Sequence, residues 1–157
     1  MTVGITDVNA AGLEELKKCA GGKIGYLATV DVTDADKVAS VLKDFNSAAE
    51  GRMDVLFNNA GILRVGPFED IPLKDHHAIL NINMGGMINC AYFAFPYLKN
   101  TVGSRVINMA SVASIYRNPD GGDILRVEVR SERIYGGVKY RMETIRNTCL
   151  RYYALLC

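Results

Sequence analysis

Histidine is scarce in this chain, and cysteine never recurs at short spacing. The two histidines, His76 and His77, are adjacent, with no second ligand pair elsewhere, so no metal site is expected. Cys19, Cys90, Cys149 and Cys157 form no Cys-x-x-Cys pair. They read as reduced thiols of a cytoplasmic protein, not as a disulfide or zinc framework. Charge of one sign is also lacking: 18 Lys/Arg stand against 17 Asp/Glu, a formal net charge of +1. That balance gives no argument for a nucleic acid or a membrane as partner. No apolar run approaches the roughly 20 residues of a membrane span. Met1-Thr2-Val3-Gly4 opens without a charged region leading into a long apolar core, so no secretory leader is expected. Repeats and low-complexity stretches are absent too. What is present is ordinary for a globular protein: 157 residues, 49% hydrophobic and 22% charged, enough for one domain with a sizeable core.

The first 120 residues alternate strand and helix patterns. Thr2 to Thr6 reads as a short strand ending at Asp7. Asn9 to Lys18 reads as a helix capped by Asn9, with Leu13 and Leu16 on one face. Lys23 to Val30 is a second strand, ending at Asp31. Thr33 is placed to cap the next helix, where Val38, Val41, Leu42 and Phe45 recur at helical spacing. Met53 to Asn58 is a third strand. Pro72 to Lys99 carries Ile79, Ile82, Gly86, Cys90, Phe93 and Tyr97 at steps of three and four, a long helix packed on a sheet. Arg105 to Ala110 is a fourth strand, ending in Ser111. Strands separated by helices imply crossover connections and a parallel, doubly wound α/β sheet.

The third strand carries the most information. Asp54-Val55-Leu56-Phe57 runs into Asn58-Asn59-Ala60-Gly61. A short apolar run that ends in a small, polar, glycine-terminated tip marks a place where backbone approaches something closely. In an open parallel sheet, ligands bind at the carboxyl ends of the strands. Asn83, in Asn81-Ile82-Asn83-Met84-Gly85-Gly86, lies inside the long helix, where Asn is a poor helix former. Ser111 ends the fourth strand in Val106-Ile107-Asn108-Met109-Ala110-Ser111.

Together and in this order, these motifs resemble the short-chain dehydrogenase/reductase family of nicotinamide-dependent oxidoreductases, over roughly residues 2 to 120. The resemblance implies a Rossmann-like sheet and NAD as cofactor. It implies that Asp7 accepts hydrogen bonds from the adenosine ribose, although a helix-capping Asp reads equally well there. Asp31 and Val32 would lie against the adenine, although Asp31-Val32-Thr33-Asp34 is also a good helix start. Asn59, Ala60 and Gly61 would pass beside the cofactor ribose. Asn83 would hold a water in a proton relay. Ser111 would polarise the substrate oxygen, its plain alternative being a strand-end turn residue. The substrate implied is a small alcohol or carbonyl compound. Dimerisation, with itself or a complete relative, is implied through the helix carrying Asn83.

Two departures from the family pattern stand out. The family opens with a strand and a Gly-rich turn that binds the pyrophosphate. No such turn precedes Asp7, so the doubly wound sheet is expected to be incomplete, with two inner strand edges unpaired and dinucleotide binding weakened. The family's Tyr-x-x-x-Lys pair should begin near Ile124. The one such spacing here, Tyr135 to Lys139, comes later and contains two glycines. Residues 121–157 carry seven basic and four acidic side chains and half of the eight tyrosines, an atypical tail. Ile124 to Val129 alternates like a strand, and Met142 to Leu156 is readable as a helix. Codons exist for Asp123-Ile124-Leu125-Arg126 whose shifted frame reads Tyr-Ser-Ala, the family's usual opening at its catalytic Tyr. A frameshift near residue 120 is therefore expected. The expected outcome is an oxidoreductase of impaired activity, the alternative being a non-catalytic interaction or decoy subunit.

Overall fold

A computed structural model describes residues 2–21, 24–110 and, as backbone, 153–156. Five parallel strands form one sheet in the order β2-β1-β5-β3-β4. The strands are β1 (Thr2–Asp7), β2 (Tyr26–Thr29), β3 (Val55–Asn58), β4 (Arg105–Asn108) and β5 (Tyr153–Leu156). The helices are α1 (Ala10–Cys19), α2 (Ala35–Ala48), α3 (Leu73–Ile79) and α4 (Met87–Lys99). A single 3-10 turn, Phe68–Asp70, precedes α3. Between α3 and α4 the helix does not stop but widens into π-type turns over Leu80–Gly86.

Each helix forms for a local reason. Asn9 caps α1 by accepting from the Gly12 N–H at 3.0 Å. The next cap is Asp34, not Thr33: its carboxylate accepts from the Lys37 N–H at 3.1 Å. The Thr33 hydroxyl is already committed to Asp31 Oδ1 at 2.7 Å. Val38, Leu42 and Phe45 make the buried face of α2. Met87, Cys90, Ala94 and Leu98 make that of α4. These two faces meet over β3, and all but Met87 join Val30, Val32, Ala49, Met53 and Leu56 in the main core. Val41, Ile82, Phe93 and Tyr97 pack against it, partly buried. On α1 only Leu13 is buried, while Leu16 stays 39% exposed.

The continuous helix Leu73–Lys99 spans 27 residues and is, by length and composition, apolar enough to cross a membrane. Its buried side packs against α2 and β3, as the core helix of a globular domain does.

The sheet departs from expectation at its centre. The edges of β1 and β3 are not left unpaired. Tyr153–Leu156 runs between them as β5, parallel to both, with Gly4 opposite Leu155 on one side and Leu56 opposite Leu155 on the other. The helix expected through Met142 to Leu156 is thus a strand at its end. Parallel pairing on both edges supplies partners for backbone groups that a four-residue helical end would leave open. The strand expected at Ile124 to Val129, and Tyr135 and Lys139, lie outside the described residues.

Candidate functional site

The carboxyl ends of the strands form one rim. Backbone hydrogen bonds tie neighbouring tips: the Val30 N–H donates to Asp7 O at 3.1 Å, and the Met109 N–H donates to Asn58 O at 2.8 Å. Beneath the tips of β3 and β4 opens a small, shallow cleft. Its lining includes Val32, Asn58, Ala60, Asn83, Gly86 and Met109. Three of the residues expected at the site, Val32, Ala60 and Asn83, therefore share one concave surface, although they come from widely separated stretches of chain.

Asn83 sits in the π-type turns, which free its position from the strict α-helical lattice. Its amide is a clamp. Oδ1 accepts from the Ile62 N–H at 2.8 Å, and Nδ2 donates to Ile62 O at 3.0 Å. Both bonds hold the loop that follows the β3 tip. Gly61 lies directly over the same amide: a Cβ there would stand 3.4 Å from Asn83 Oδ1. That distance is ordinary van der Waals contact, so a Cβ would fit at this position. Gly86 is tighter still, because a Cβ there would collide with Val32 Cγ2 and lie 2.8 Å from Val32 Cβ. Val32 is held from the other side, where its carbonyl accepts from Asn89 Nδ2 at 2.9 Å.

Asp7, Asp31 and Asn59 lie on the rim but outside the cleft lining. Asp7 is exposed and spends one carboxylate oxygen, Oδ1, on the Asn9 N–H at 2.8 Å. Asp31 Oδ1 accepts from both the N–H and the hydroxyl of Thr33, at 2.9 and 2.7 Å. Asp31 thus makes the bonds of a loop-closing residue. Asn59 is exposed. Ser111 lies outside the described residues. Among the described residues no cluster of three or more His, Cys, Asp or Glu is placed to hold a metal.

Asn58 was not singled out from sequence. It is 7% exposed, and its Nδ2 donates to Asn108 Oδ1 at 2.8 Å, joining the tips of β3 and β4. Its own Oδ1 is buried with no protein partner. The signal was available, since Asn58 and Asn108 each end their strand and stand opposite one another in the register.

Comparison with known proteins shows the family. Residues 1–122 match the family described as short chain dehydrogenase. The chain belongs to the short-chain dehydrogenase family. A 3-oxoacyl-(acyl-carrier-protein) reductase of Thermotoga maritima is 33% identical over 120 residues, covering 75% of this chain and 48% of the relative. A D-threitol dehydrogenase of Mycolicibacterium smegmatis is 33% identical over 114 residues, covering 71% of this chain and 44% of the relative. A gluconate 5-dehydrogenase structure from Burkholderia cenocepacia, in complex with NADP and tartrate, superposes with a TM-score of 0.72 at 26% identity. That match covers 85% of this chain and 53% of the other. The chain spans about half the length of these relatives. Its parallel sheet with flanking helices is the Rossmann-like fold of the family.

Whether a nicotinamide dinucleotide fits can be judged from the residues themselves. Ala60 lines the cleft, and Gly61 packs against the Asn83 amide. Asp7 Oδ2 makes none of the contacts that Oδ1 makes, and Asn58 Oδ1 lacks a protein donor. These features suit the adenosine and ribose portions. The described residues show no Gly-rich turn with helix beside β5 to hold the pyrophosphate.

Proposed function

We propose that this chain carries the nucleotide-binding rim of an NAD(H)-dependent alcohol or carbonyl oxidoreductase, and that the polypeptide of residues 1–157 turns over poorly. The observation that carries the reading is the gathering of Val32, Ala60 and Asn83 around one cleft at the carboxyl ends of parallel strands, with Gly61 packed on Asn83. In this reading Asp7 accepts hydrogen bonds from the adenosine ribose, Asp31 and Val32 border the adenine, and Asn59, Ala60 and Gly61 flank the second ribose. An acidic acceptor at Asp7 disfavours a 2'-phosphate by like-charge repulsion, so NAD is proposed over NADP. Bound cofactor supplies hydride donation or acceptance.

The chain's own residues position and polarise. The Asn83 clamp on Ile62 keeps the loop after β3 in one conformation. Ser111 is proposed to donate a hydrogen bond to the substrate oxygen. A Tyr/Lys pair at the family's spacing from Ser111 is missing from the 157 residues, so proton transfer lacks its usual group. Poor turnover follows. The same reading makes the protein cytoplasmic, with Cys90 buried and Cys19 exposed, neither in a disulfide.

A second reading is favoured by one surface. Ile88, Tyr92 and Phe95 lie on α4 at helical spacing, exposed by 42%, 72% and 62%. We propose this stripe as the contact for a second copy or a complete relative, with the chain acting as a non-catalytic subunit.

Calorimetric titration with NAD and a steady-state assay with NADH and small carbonyl compounds test both readings. Saturable NAD binding with negligible turnover is expected. An enzyme-like rate refutes the impaired-activity reading. Absence of binding, together with a dimer that Tyr92→Glu dissociates, favours the non-catalytic subunit.

A further inference from the structure

Two loops border the rim, and both are fastened to the helical run that carries Asn83. The loop after β3 is held by the Asn83 carboxamide through the N–H and carbonyl of Ile62, at 2.8 and 3.0 Å. The loop after β2, Asp31 to Asp34, is held by Asn89 of α4, whose Nδ2 donates to Val32 O at 2.9 Å. Asn89 follows Gly86 by three residues, so the two stand on one helical face. That face grips Val32 twice. Asn89 takes the carbonyl, and Gly86 leaves the space that the Val32 side chain fills, since a Cβ there would lie 2.8 Å from Val32 Cβ. Val32 is buried and lines the cleft. The loop's other hydrogen bonds among the described residues are local. Asp31 Oδ1 accepts from the Thr33 N–H and hydroxyl, the Asp34 N–H donates to Asp31 O at 3.0 Å, and Asp34 caps α2.

We propose that Asn89 is a positioning residue for ligand binding: by holding the Val32 carbonyl it fixes the Asp31–Asp34 loop to the helix that also holds the loop after β3, and so sets the width of the rim on its base-binding side. The inference rests on the reading of the rim as a nucleotide site, in which Asp31 and Val32 border the adenine. A turn closed by its own bonds keeps its shape, but those bonds do not place it against the rest of the molecule. The Asn89 bond does, because it joins the loop to a different element. Val32 is buried, so loss of the donor leaves its carbonyl short of a partner. Asn is a poor helix former, and a carboxamide spent on a neighbouring loop is a physical reason for it inside α4. Asn83 and Asn89 lie six residues apart on one continuous helical run, which keeps the two loops at a fixed separation. The ligand class that this suits is a purine base lying against Val32, the end of the dinucleotide remote from the nicotinamide. Asn89 touches no ligand in this scheme and acts through Val32.

Two variants of the full chain test it. Asn89→Asp keeps the shape of the side chain and loses the donor, and Asn89→Leu serves if the acid fails to fold. The Asp34 amide, which closes the loop, is expected to exchange at least about 5-fold faster, with the Ile62 and Leu42 amides unmoved. Resonance titrations with adenosine monophosphate and with nicotinamide mononucleotide then separate the two ends of the rim. Affinity for adenosine monophosphate is expected to fall at least about 5-fold, the scale of one hydrogen bond, and affinity for nicotinamide mononucleotide to stay. Unchanged Asp34 exchange in a folded variant overturns the proposal. Equal weakening of both mononucleotides also overturns it, because Asn89 would then only support the fold. Adenosine monophosphate bound as tightly by the variant as by wild type overturns it too, and leaves the nucleotide reading intact. A wild-type chain that binds neither mononucleotide refutes the nucleotide reading and the base-side role with it, while Asp34 exchange still decides whether Asn89 holds the loop.

Discussion

Replacing Gly86 with alanine tests the packing that shapes the cleft. The added Cβ collides with Val32 Cγ2 and stands 2.8 Å from Val32 Cβ. Valine is stiff at χ1, so its methyl cannot swing aside cheaply. Val32 is itself pinned, since its carbonyl accepts from Asn89 Nδ2 at 2.9 Å. Overpacking of this kind costs about 1–3 kcal/mol. Against that, alanine in place of glycine inside a helix gains up to about 1 kcal/mol. The rigid neighbour puts the clash toward the upper end, so a net loss of about 2 kcal/mol is expected. For a chain of this size that is a fall in Tm of about 4–8 °C. The decisive assay is a double-mutant cycle with Val32→Ala, measured by thermal or urea unfolding. Val32→Ala alone opens a cavity and is expected to destabilise by about 1–3 kcal/mol. Combined with Gly86→Ala, it makes room for the new methyl, so the double variant should recover at least about 1 kcal/mol relative to additivity. Strict additivity, or a Gly86→Ala variant as stable as wild type, refutes the close contact.

Other outcomes follow from local chemistry. Asn9→Ala removes the α1 cap and is expected to cost about 1 kcal/mol in urea unfolding. Asn83→Leu leaves Ile62 N–H and O without partners, so the Ile62 amide should exchange faster and NAD affinity should fall, whereas an unchanged Ile62 amide contradicts the clamp. The N–H of Lys37, donating to Asp34, holds the Asp34 carboxyl below the usual carboxylate range, with the Lys37 ammonium assisting. The unfolded chain then binds the proton more readily, so this contribution is present above about pH 4 and is lost as pH falls further. Asp34→Asn should flatten that acid limb of the stability profile. Burial, and secondarily the Asp44 carboxylate, pushes the Tyr26 phenol above its ordinary range. Stability from its neutral form is present below about pH 10 and is lost as pH rises through the folded value, and Tyr26→Phe should remove that alkaline limb.

Much of this architecture is legible in the sequence, because local patterns decide it. The buried faces of α2 and α4 follow from the spacing of Val38, Leu42 and Phe45 and of Cys90, Ala94 and Leu98. The strand tips follow from short apolar runs that end in Asp7, Asp31 and Asn58. The gathering of Val32, Ala60 and Asn83 was readable only through the order of motifs, since nothing local says that three distant stretches meet. What the sequence hid is non-local. No property of Tyr153–Leu156 announces that its backbone fits between β1 and β3, because strand pairing is settled by which edges remain open. The π-type widening at Leu80–Gly86 was equally hidden, since Ile79, Gly86 and Cys90 fit ordinary helical spacing. Asn58 escaped notice because its role depends on Asn108, fifty residues later. The Thr33 hydroxyl donates to Asp31 Oδ1, and the α2 cap falls to Asp34.

The central claim is that the rim from Asp7 to Met109 holds a nicotinamide dinucleotide. Titrating the isotope-labelled full chain with NAD and following its amide resonances tests this most directly. Saturable shifts confined to Asp7, Val32, Ala60, Gly61 and Met109, with α1 and the amino ends of the strands unmoved, are predicted. No saturable shift at those amides, or shifts centred on the opposite edge of the sheet, would contradict it.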